Sequence, residues 1–301
     1  MAIPTDTRPL AGILWMFVSG LAFVAVTGSV RYLGTDLPAA QSAFLRFAIG
    51  TLLMAPVLMR IIRVGLPKGS LPLFAARGAL HSVATVLWFY AMARLPVAEV
   101  TVIGYLNPVV VTLGAALLLG ERLAARRLTA IAVALVGALI VLRPGLREVS
   151  TGHLAQLSAA LFFGLSYLVV KRLSTLASAT EIVAMMSLTV AIGQFVPAMI
   201  VWVPPNATQI AILVLVTLLA TAGHYCMTRA IAAAPLAVTQ PVVFLQLVWA
   251  TLLGSLVFGE TVDIYVLIGG AMIIGAISYM TWREAKVRPS EITPPPQATK
   301  I

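Results

Sequence analysis

Residues 93–121 read ARLPVAEVTVIGYLNPVVVTLGAALLLGE, and residues 232–260 read AAAPLAVTQPVVFLQLVWATLLGSLVFGE. The second stretch follows the first by 139 residues and repeats its early proline, its internal Thr-Leu pair and its final Gly-Glu pair. Near an offset of 140, four more positions match, namely Gly12, Phe23, Arg31 and Leu33 with Gly152, Phe163, Lys171 and Leu173. The second half of the chain is therefore predicted to be a copy of the first.

Both stretches are apolar enough to lie in a membrane. A spanning helix needs about 20 apolar residues to cross about 30 Å of hydrocarbon. Runs of this kind cover residues 10–31, 38–59, 71–93, 97–119, 127–143, 152–170, 180–202, 209–230, 236–258 and 264–282. Because each half holds five helices, an odd number, the two copies must lie in opposite orientations. The predicted fold class is an all-α membrane protein with ten transmembrane helices in two inverted five-helix repeats.

The same runs divide the chain into four parts. Residues 1–9 form a cytoplasmic leader, residues 10–145 the first repeat and residues 152–283 the second repeat, and residues 288–301 form a tail. The tail is rich in proline and charge and is predicted to be disordered and cytoplasmic. An inverted repeat is the usual frame for alternating access, with the substrate held near the membrane midplane between the repeats.

The composition agrees with a chain surrounded by lipid. Hydrophobic residues make up 60% and charged residues 10% of the sequence, and the mean hydropathy is +1.02. Globular domains are about half apolar and about a quarter charged. The net charge of +10 comes from basic residues scattered at the ends of apolar runs. They form no basic groove with interleaved aromatic residues, so we expect the lipid bilayer and not nucleic acid as a partner.

The basic residues also predict the orientation, because Lys and Arg accumulate in cytoplasmic loops. With the N-terminus inside, 15 of the 20 basic residues fall on the cytoplasmic side, and this group includes Arg77 at the start of the third helix. Arg31, Arg94, Arg143 and Arg147 fall on the opposite side. Both termini are therefore predicted to be cytoplasmic, in a multi-pass protein of the bacterial inner membrane.

Three features resemble a known family: the context of Arg46 (Ala-Phe-Leu-Arg-Phe-Ala, residues 43–48), the paired Pro-Val-Ala and Pro-Leu-Ala helix starts, and the paired Gly-Glu ends. These features are similar to those of the EamA repeat. Two such repeats make a ten-helix member of the drug/metabolite transporter superfamily, and the resemblance covers residues 10–283. It implies a transporter, in a superfamily that carries amino acids, vitamins, nucleotide sugars and drugs. Within that superfamily the chain is most similar to the bacterial aromatic amino-acid exporters.

The sequence offers no set of residues typical of an enzyme. No carboxylate falls at the centre of a predicted helix, the histidines lack metal-ligand spacing, and there is no Walker A motif. We therefore expect no catalytic residue, no metal site, no cofactor and no enzymatic activity. An integral-membrane enzyme acting on lipid is an alternative of another class, disfavoured because no catalytic pair can be assembled.

Two histidines lie at membrane depth, where ionisable residues are usually functional. His81 shares a helix face with Thr85 and Trp88, which follow at i+4 and i+7. His224 lies in a stripe of threonines in helix 8, and Thr85 corresponds to it at an offset of 139. In an inverted repeat, equivalent positions flank the same pathway. The alternative for both histidines is an interhelical hydrogen bond that only holds the bundle together.

Other deep residues complete a candidate site. Those expected to bind substrate are His81, Trp88, Tyr105, Phe163, Tyr167, His224, Phe244 and Gln246. Ordinary packing is the alternative for the aromatic residues. Arg46 is either a carboxylate anchor or gate, or a structural residue whose side chain extends to the interface or bonds helix carbonyls. Pro108 and Pro241 are expected to disturb the backbone ladder of helices 4 and 9.

Such a cavity would be aromatic, amide and hydroxyl in character, with almost no fixed charge. It predicts export of small neutral or zwitterionic solutes, amino acids including aromatic ones, by alternating access without proton coupling. An uptake carrier for a vitamin or other flat heterocyclic metabolite is the first alternative. The expected assembly is a monomer.

Overall fold

A computed structural model describes residues 9–119, 125–173, 175–233, 239 and 242–287. The predicted leader, apart from Pro9, and the predicted tail lie outside the described residues, as does Pro241. The helices among the described residues are α1 (Pro9–Leu33), α2 (Ala39–Leu53), α3 (Ala55–Val64), α4 (Leu71–Met92), α5 (Val97–Gly104), α6 (Asn107–Leu119), α7 (Ala125–Leu142), α8 (Thr151–Leu173), α9 (Ala179–Ile200), α10 (Ala207–Ala233), α11 (Leu245–Phe258) and α12 (Ile264–Val287).

The described helices confirm the predicted all-α membrane fold. Seven segments are long and apolar enough to cross a bilayer, and an eighth qualifies if the bent pair α2 and α3 forms one span. Helix α11 is a shorter apolar helix, and α4 extends over 22 residues. Ten transmembrane segments in two five-helix repeats account for this order of helices.

The second predicted helix, residues 38–59, is not continuous. The chain bends by 65° between α2 and α3, and Pro56 lies at the start of α3. Proline lacks the N–H that would bond to the carbonyl four residues earlier, and its ring clashes with that carbonyl. A similar interruption separates α5 from α6 at Tyr105 and Leu106, just before Pro108. The backbone ladder of the fourth predicted helix is therefore disturbed, as expected for Pro108.

The packing of the helices follows the inverted repeat. Helix α1 packs against α10, and its counterpart α8 packs against α4, which is the counterpart of α10. Helix α7 packs against its own counterpart α12, and α2 against α9. This pattern is expected when two similar halves are related by a pseudo-twofold axis that lies in the membrane plane.

Close approach along this axis depends on glycine. A Cβ atom on Gly137 of α7 would stand 2.7 Å from the carbonyl oxygen of Gly269 in α12. Two helices can approach this closely only where side chains are absent, which is why small residues are enriched between membrane helices. The α7–α12 contact therefore joins the two repeats rigidly, backbone against backbone.

Candidate functional site

A central cavity of about 330 Å³ lies between the two repeats. It is lined by residues of both halves, contributed by α1, α2, α4, α5, α8, α10 and α11 among others. The structure brings all eight residues predicted to bind substrate to its wall, together with Arg46 and Pro108: His81, Trp88, Tyr105, Phe163, Tyr167, His224, Phe244 and Gln246. Pockets that hold small ligands usually measure roughly 300–1,000 Å³, so this cavity lies at the small end of the range.

One side of the cavity is formed by rings from α4 and α8. His81 and Phe163 meet edge to face, with ring centroids 4.9 Å apart, and Trp88 meets Phe163 at 5.9 Å. Phe47 of α2 packs on the other side of His81 at 5.9 Å. His81 and Trp88 face the cavity together because they lie two helical turns apart on α4. This cluster is a surface for an aromatic or apolar part of a ligand.

The opposite side is formed by the matching helices, α1 and α10. Phe23 meets His224 edge to face at 5.0 Å, and both residues line the cavity. Phe23 corresponds to Phe163 at an offset of 140. A His–Phe pair thus lies at each of these two places, but only the two phenylalanines are repeat equivalents, because His224 corresponds to Thr85 and not to His81. Sequence reasoning left Phe23 out of the predicted site, although its match with Phe163 was a signal that could have placed it there.

A third ring pair marks the pseudo-twofold axis. Tyr105 and Phe244 correspond at an offset of 139, and they pack edge to face at 5.3 Å. The hydroxyl of Tyr105 donates a long hydrogen bond of 3.4 Å to the carbonyl of Val243. Equivalent residues can touch each other only close to the axis that relates them, so these two rings lie near the centre of the molecule.

Amide and hydroxyl groups complete the wall. The side-chain amide of Gln156 donates to the carbonyl of Val100 at 2.9 Å and so holds α8 against α5. Gln246 packs closely on α1, because a Cβ atom on Gly20 would stand 3.1 Å from its Cγ. Tyr167 lines the cavity although 43% of the residue is exposed.

Arg46 brings one fixed charge to a cavity that was expected to carry almost none. Only 9% of the surface of Arg46 is exposed, and the residue lines the cavity. Its guanidinium lies 4.1 Å from the centre of the Phe47 ring. The side chain thus stays inside the bundle and does not extend to the interface. Arg77 was expected at the cytoplasmic flank, but it is only 7% exposed. Helix α4 begins at Leu71, so Arg77 lies more than one turn inside it.

Near the start of α5, a buried carboxylate joins the two repeats. Glu99 is 4% exposed, and both of its oxygens accept hydrogen bonds from Arg147, at 2.8 and 2.9 Å. The backbone N–H of Ser150 donates to Nδ1 of His153 at 3.0 Å. The ring proton is therefore assigned to Nε2, which donates to Glu99 at 2.7 Å. The hydrogen bond to Glu99 raises the pKa of Arg147 above its usual value.

Two further ion pairs extend this arrangement. Arg31 bonds to Glu260 at 3.1 Å, and the other oxygen of Glu260 accepts from the N–H of Val97 at 2.9 Å. A carboxylate at the N-terminus of a helix stabilises its first turn, so Glu260 stabilises the start of α5. Arg143 pairs with Asp263. We call the whole set the interrepeat network, and its members are Arg31, Glu99, Arg143, Arg147, His153, Glu260 and Asp263.

The interrepeat network lies directly beside the central cavity. Glu99 belongs to the network, while the next two residues of α5, Val100 and Thr101, line the cavity. A second cavity of about 290 Å³ adjoins the network and is lined by Glu99, Arg147, Glu260 and Asp263 among others. Sequence reasoning noticed Glu260 only as the end of a repeated Gly-Glu pair and missed the network. Within the described residues, no group of three His, Cys, Asp or Glu side chains could hold a metal ion.

Comparison with known proteins gives three kinds of match. The model of the EamA-like transporter family matches residues 10–143 and again residues 150–282. A riboflavin transporter of Rhizobium johnstonii is 30% identical over 93% of this chain and 94% of its own length. The pseudopaline exporter CntI of Pseudomonas aeruginosa is 27% identical over 88% of this chain and 94% of its own.

More distant proteins cover the chain equally well. An S-adenosylmethionine uptake transporter of Rickettsia prowazekii is 23% identical over 92% of this chain and 94% of its own length. One solved crystal structure matches with a TM-score of 0.57 and 19% identity, covering 93% of this chain and 97% of that chain. At that identity the structural match shows the fold alone.

Proposed function

The chain belongs to the EamA-like transporter family, and from that premise we propose that it exports small zwitterionic solutes, aromatic amino acids above all, by alternating access. That it is a multi-pass membrane transporter of small molecules, and not an enzyme, follows from the family and its transporter relatives. The substrate and the direction are our proposal.

One observation carries the choice of substrate: a single small cavity combines aromatic rings with a guanidinium. Rings of Trp88 and Phe163 provide an apolar surface, and Arg46 lines the same space. An aromatic amino acid carries a ring and a carboxylate within a few ångströms of each other. The size of the cavity, about 330 Å³, suits such a solute better than it suits a larger heterocycle.

The first alternative is an uptake carrier for a vitamin or another flat heterocycle. It is favoured by the riboflavin transporter that is 30% identical to this chain and by the five edge-to-face ring pairs among the described residues of the cavity. A riboflavin-sized solute would need the cavity to widen as it binds. Substrate competition in the transport experiment below separates the two candidates.

Flux is expected to be facilitated and independent of the proton gradient. The side chains that line the cavity include no carboxylate among the described residues, and proton-coupled carriers usually rely on a membrane-embedded Asp, Glu or His. A zwitterion also crosses without net charge, so the solute gradient alone should set the direction, outward when the cytoplasm is richer. Proteoliposomes preloaded with unlabelled phenylalanine should take up labelled phenylalanine by exchange, with or without an imposed pH gradient.

Two results would contradict this expectation. Accumulation of phenylalanine above equilibrium that a protonophore abolishes would show proton coupling and would make His81 or His224 the coupling residue. Exchange of labelled riboflavin, with none of phenylalanine, would favour the vitamin carrier. Protein-free liposomes are the control for passive leakage.

Both termini are expected in the cytoplasm of a cell with this protein in its inner membrane. The asymmetry of basic residues motivates this orientation. Reporter fusions at Lys68 and Arg283 should give cytoplasmic signals, and a fusion at Asn206 should give a periplasmic one. An external signal at Arg283 would contradict the orientation and the inverted repeat as well, since two five-helix repeats give an even number of crossings and place both ends on one side.

A further inference from the structure

Two arginines are buried within the helix bundle without a balancing anion. Arg46 of α2 and Arg77 of α4 are 9% and 7% exposed. Among the residues that the structure describes, no carboxylate lies within ion-pair distance of either guanidinium. Charged side chains are almost never fully buried unless they are paired. Because these two arginines have no such partner among the described residues, this part of the bundle carries an uncompensated positive charge.

The contacts of Arg46 leave its guanidinium available to a ligand in the cavity. Its guanidinium lies over the Phe47 ring at 4.1 Å, and its Nε atom is buried and bonds to no group in the described part of the chain. The hydroxyl of Thr217 donates to the carbonyl of Leu213 in its own helix at 2.8 Å and also lies 3.3 Å from the backbone carbonyl of Arg46, so α10 packs directly on α2 at this residue. The backbone is thus fixed by α10 while the guanidinium keeps donors for a ligand.

The charge of Arg77 adds to the positive potential of Arg46, although Arg77 is not among the described residues that line the cavity. Its Nη2 atom contacts the sulfur of Met186 at 3.2 Å, a weak acceptor. Its Nε and Nη1 atoms are buried and, among the described residues, meet no acceptor. Arg46 and His81 both contact the ring of Phe47, and Arg77 lies one helical turn before His81 on α4. The histidine-lined part of the cavity is therefore a region of positive potential.

We propose that the cavity holds the carboxylate of its substrate at Arg46, with Arg77 adding positive potential, while the rings of Trp88 and Phe163 hold the aromatic part. The inference rests on the proposed function and names the ligand group that the site requires. A bound carboxylate would offset a buried charge that otherwise costs free energy. It can also accept two parallel hydrogen bonds from one guanidinium, which is the geometry that arginine favours.

A carboxylate suits the site better than a phosphate does. Arg46 is the guanidinium that lines the cavity, and Arg77 lies outside its described lining. A phosphate group carries up to two charges and several acceptor oxygens, and sites for it usually gather more than one cationic side chain around the ligand. We therefore assign the site to a group with a single negative charge, the carboxylate, and make phosphate an outcome of the test.

The test compares acids with their neutral amides on the purified full-length protein. The probes are phenylalanine against phenylalaninamide, indole-3-acetate against indole-3-acetamide, and riboflavin against its 5′-phosphate. Hydrogen bonds to charged groups change affinity by roughly ten- to a hundredfold, so the wild type should bind each carboxylic acid at least about tenfold more tightly than its amide. Arg46→Gln should lower the affinity for each carboxylic acid to about that of its amide and so remove this preference. Arg77→Gln should reduce it partly.

Matched variants separate a binding role from a folding role. Arg63→Gln removes an exposed arginine of α3 and should leave the acid preference as in the wild type. Arg46→Lys keeps the charge but loses the paired hydrogen bonds, so it should retain a smaller preference. If Arg46→Gln fails to fold, the preferences of Arg46→Lys and Arg77→Gln still decide, because a purely structural role would leave both at the wild-type ratio.

The outcomes distinguish the subsite from the proposed substrate. Preference for indole-3-acetate over its amide, with no binding of phenylalanine, would support the carboxylate subsite and contradict the amino-acid function. Equal binding of acids and amides by the wild type, or binding of none of the acids, would overturn the subsite. Tighter binding of riboflavin phosphate than of any carboxylate would also overturn it and would assign the site to phosphate.

Discussion

Replacing Glu99 by alanine is expected to lower the free energy of unfolding by about 3 kcal/mol, the lower end of the range for breaking a buried ion pair. Glu99 accepts both hydrogen bonds from Arg147 and one from His153. Its removal would leave a partly buried guanidinium and a buried ring N–H without their acceptor. The lower end applies because the Arg147 side chain is 24% exposed, so water can recover part of its solvation.

Glu99→Ala should weaken above all the contact between the two repeats. Arg147 follows the first repeat, and His153 begins the second, so Glu99 holds together segments that are far apart in the sequence. The proposed alternating access would require this end of the bundle to open and close. We therefore expect Glu99→Ala to favour the state in which the interrepeat network is broken, and Glu99→Gln, which keeps a hydrogen-bond acceptor, to have a smaller effect.

A single cysteine makes this prediction measurable. Cys226 is the one cysteine of the sequence, and it is 6% exposed. A thiol-reactive dye should label it only when the protein unfolds, so the temperature of labelling reports stability. Glu148→Ala is the matched control, because Glu148 is an exposed acid in the loop that holds Arg147, and the variant should stay within about 0.5 kcal/mol of the wild type. If Glu99→Ala unfolds at the temperature of the wild type, the network contributes nothing to stability.

The fold could be predicted because lipid imposes a strong constraint on sequence. Every backbone group in the membrane must bond internally, so apolar runs of the right length become helices. The match of residues 93–121 with residues 232–260 then determined the inverted arrangement. The 65° bend after α2 was missed, although Pro56 was visible, because a proline in a membrane helix is often tolerated.

The candidate site could be predicted in part, for a related reason. Residues such as His81 and Trp88 share a face on one helix, and helical periodicity is readable from sequence. Arg77 was counted with the cytoplasmic residues although the predicted helix, residues 71–93, begins where α4 begins, because the basic-residue rule gives the side of the membrane and not the depth of a side chain. The bonds from Glu99 to Arg147 and His153 span 48 and 54 residues. No local pattern indicates such pairing, since it depends on how the repeats dock.

Trp88→Ala is expected to weaken substrate binding by roughly ten- to a hundredfold, the effect of losing a stacked and partly buried ring. The Trp88 ring lies 5.9 Å from that of Phe163 and 6.1 Å from that of Phe89, and Trp88 lines the central cavity. Trp88→Phe keeps an aromatic surface and should restore most of the affinity. His81→Ala should also weaken binding, because His81 holds Phe163 from the other side at 4.9 Å.

A second tryptophan separates binding from folding in this experiment. Trp249 packs edge to face on Phe17 at 5.8 Å but is not among the described residues that line the cavity. Trp249→Ala therefore removes a ring of the same size and should leave the affinity per folded molecule unchanged. Exchange of labelled phenylalanine is measured in proteoliposomes with equal amounts of folded protein, as judged by Cys226 labelling. A substrate that stacks on the Trp88 ring must bind more weakly when the ring is removed. Normal exchange by both Trp88→Ala and His81→Ala would therefore mean that these residues only pack the bundle and that the substrate binds elsewhere.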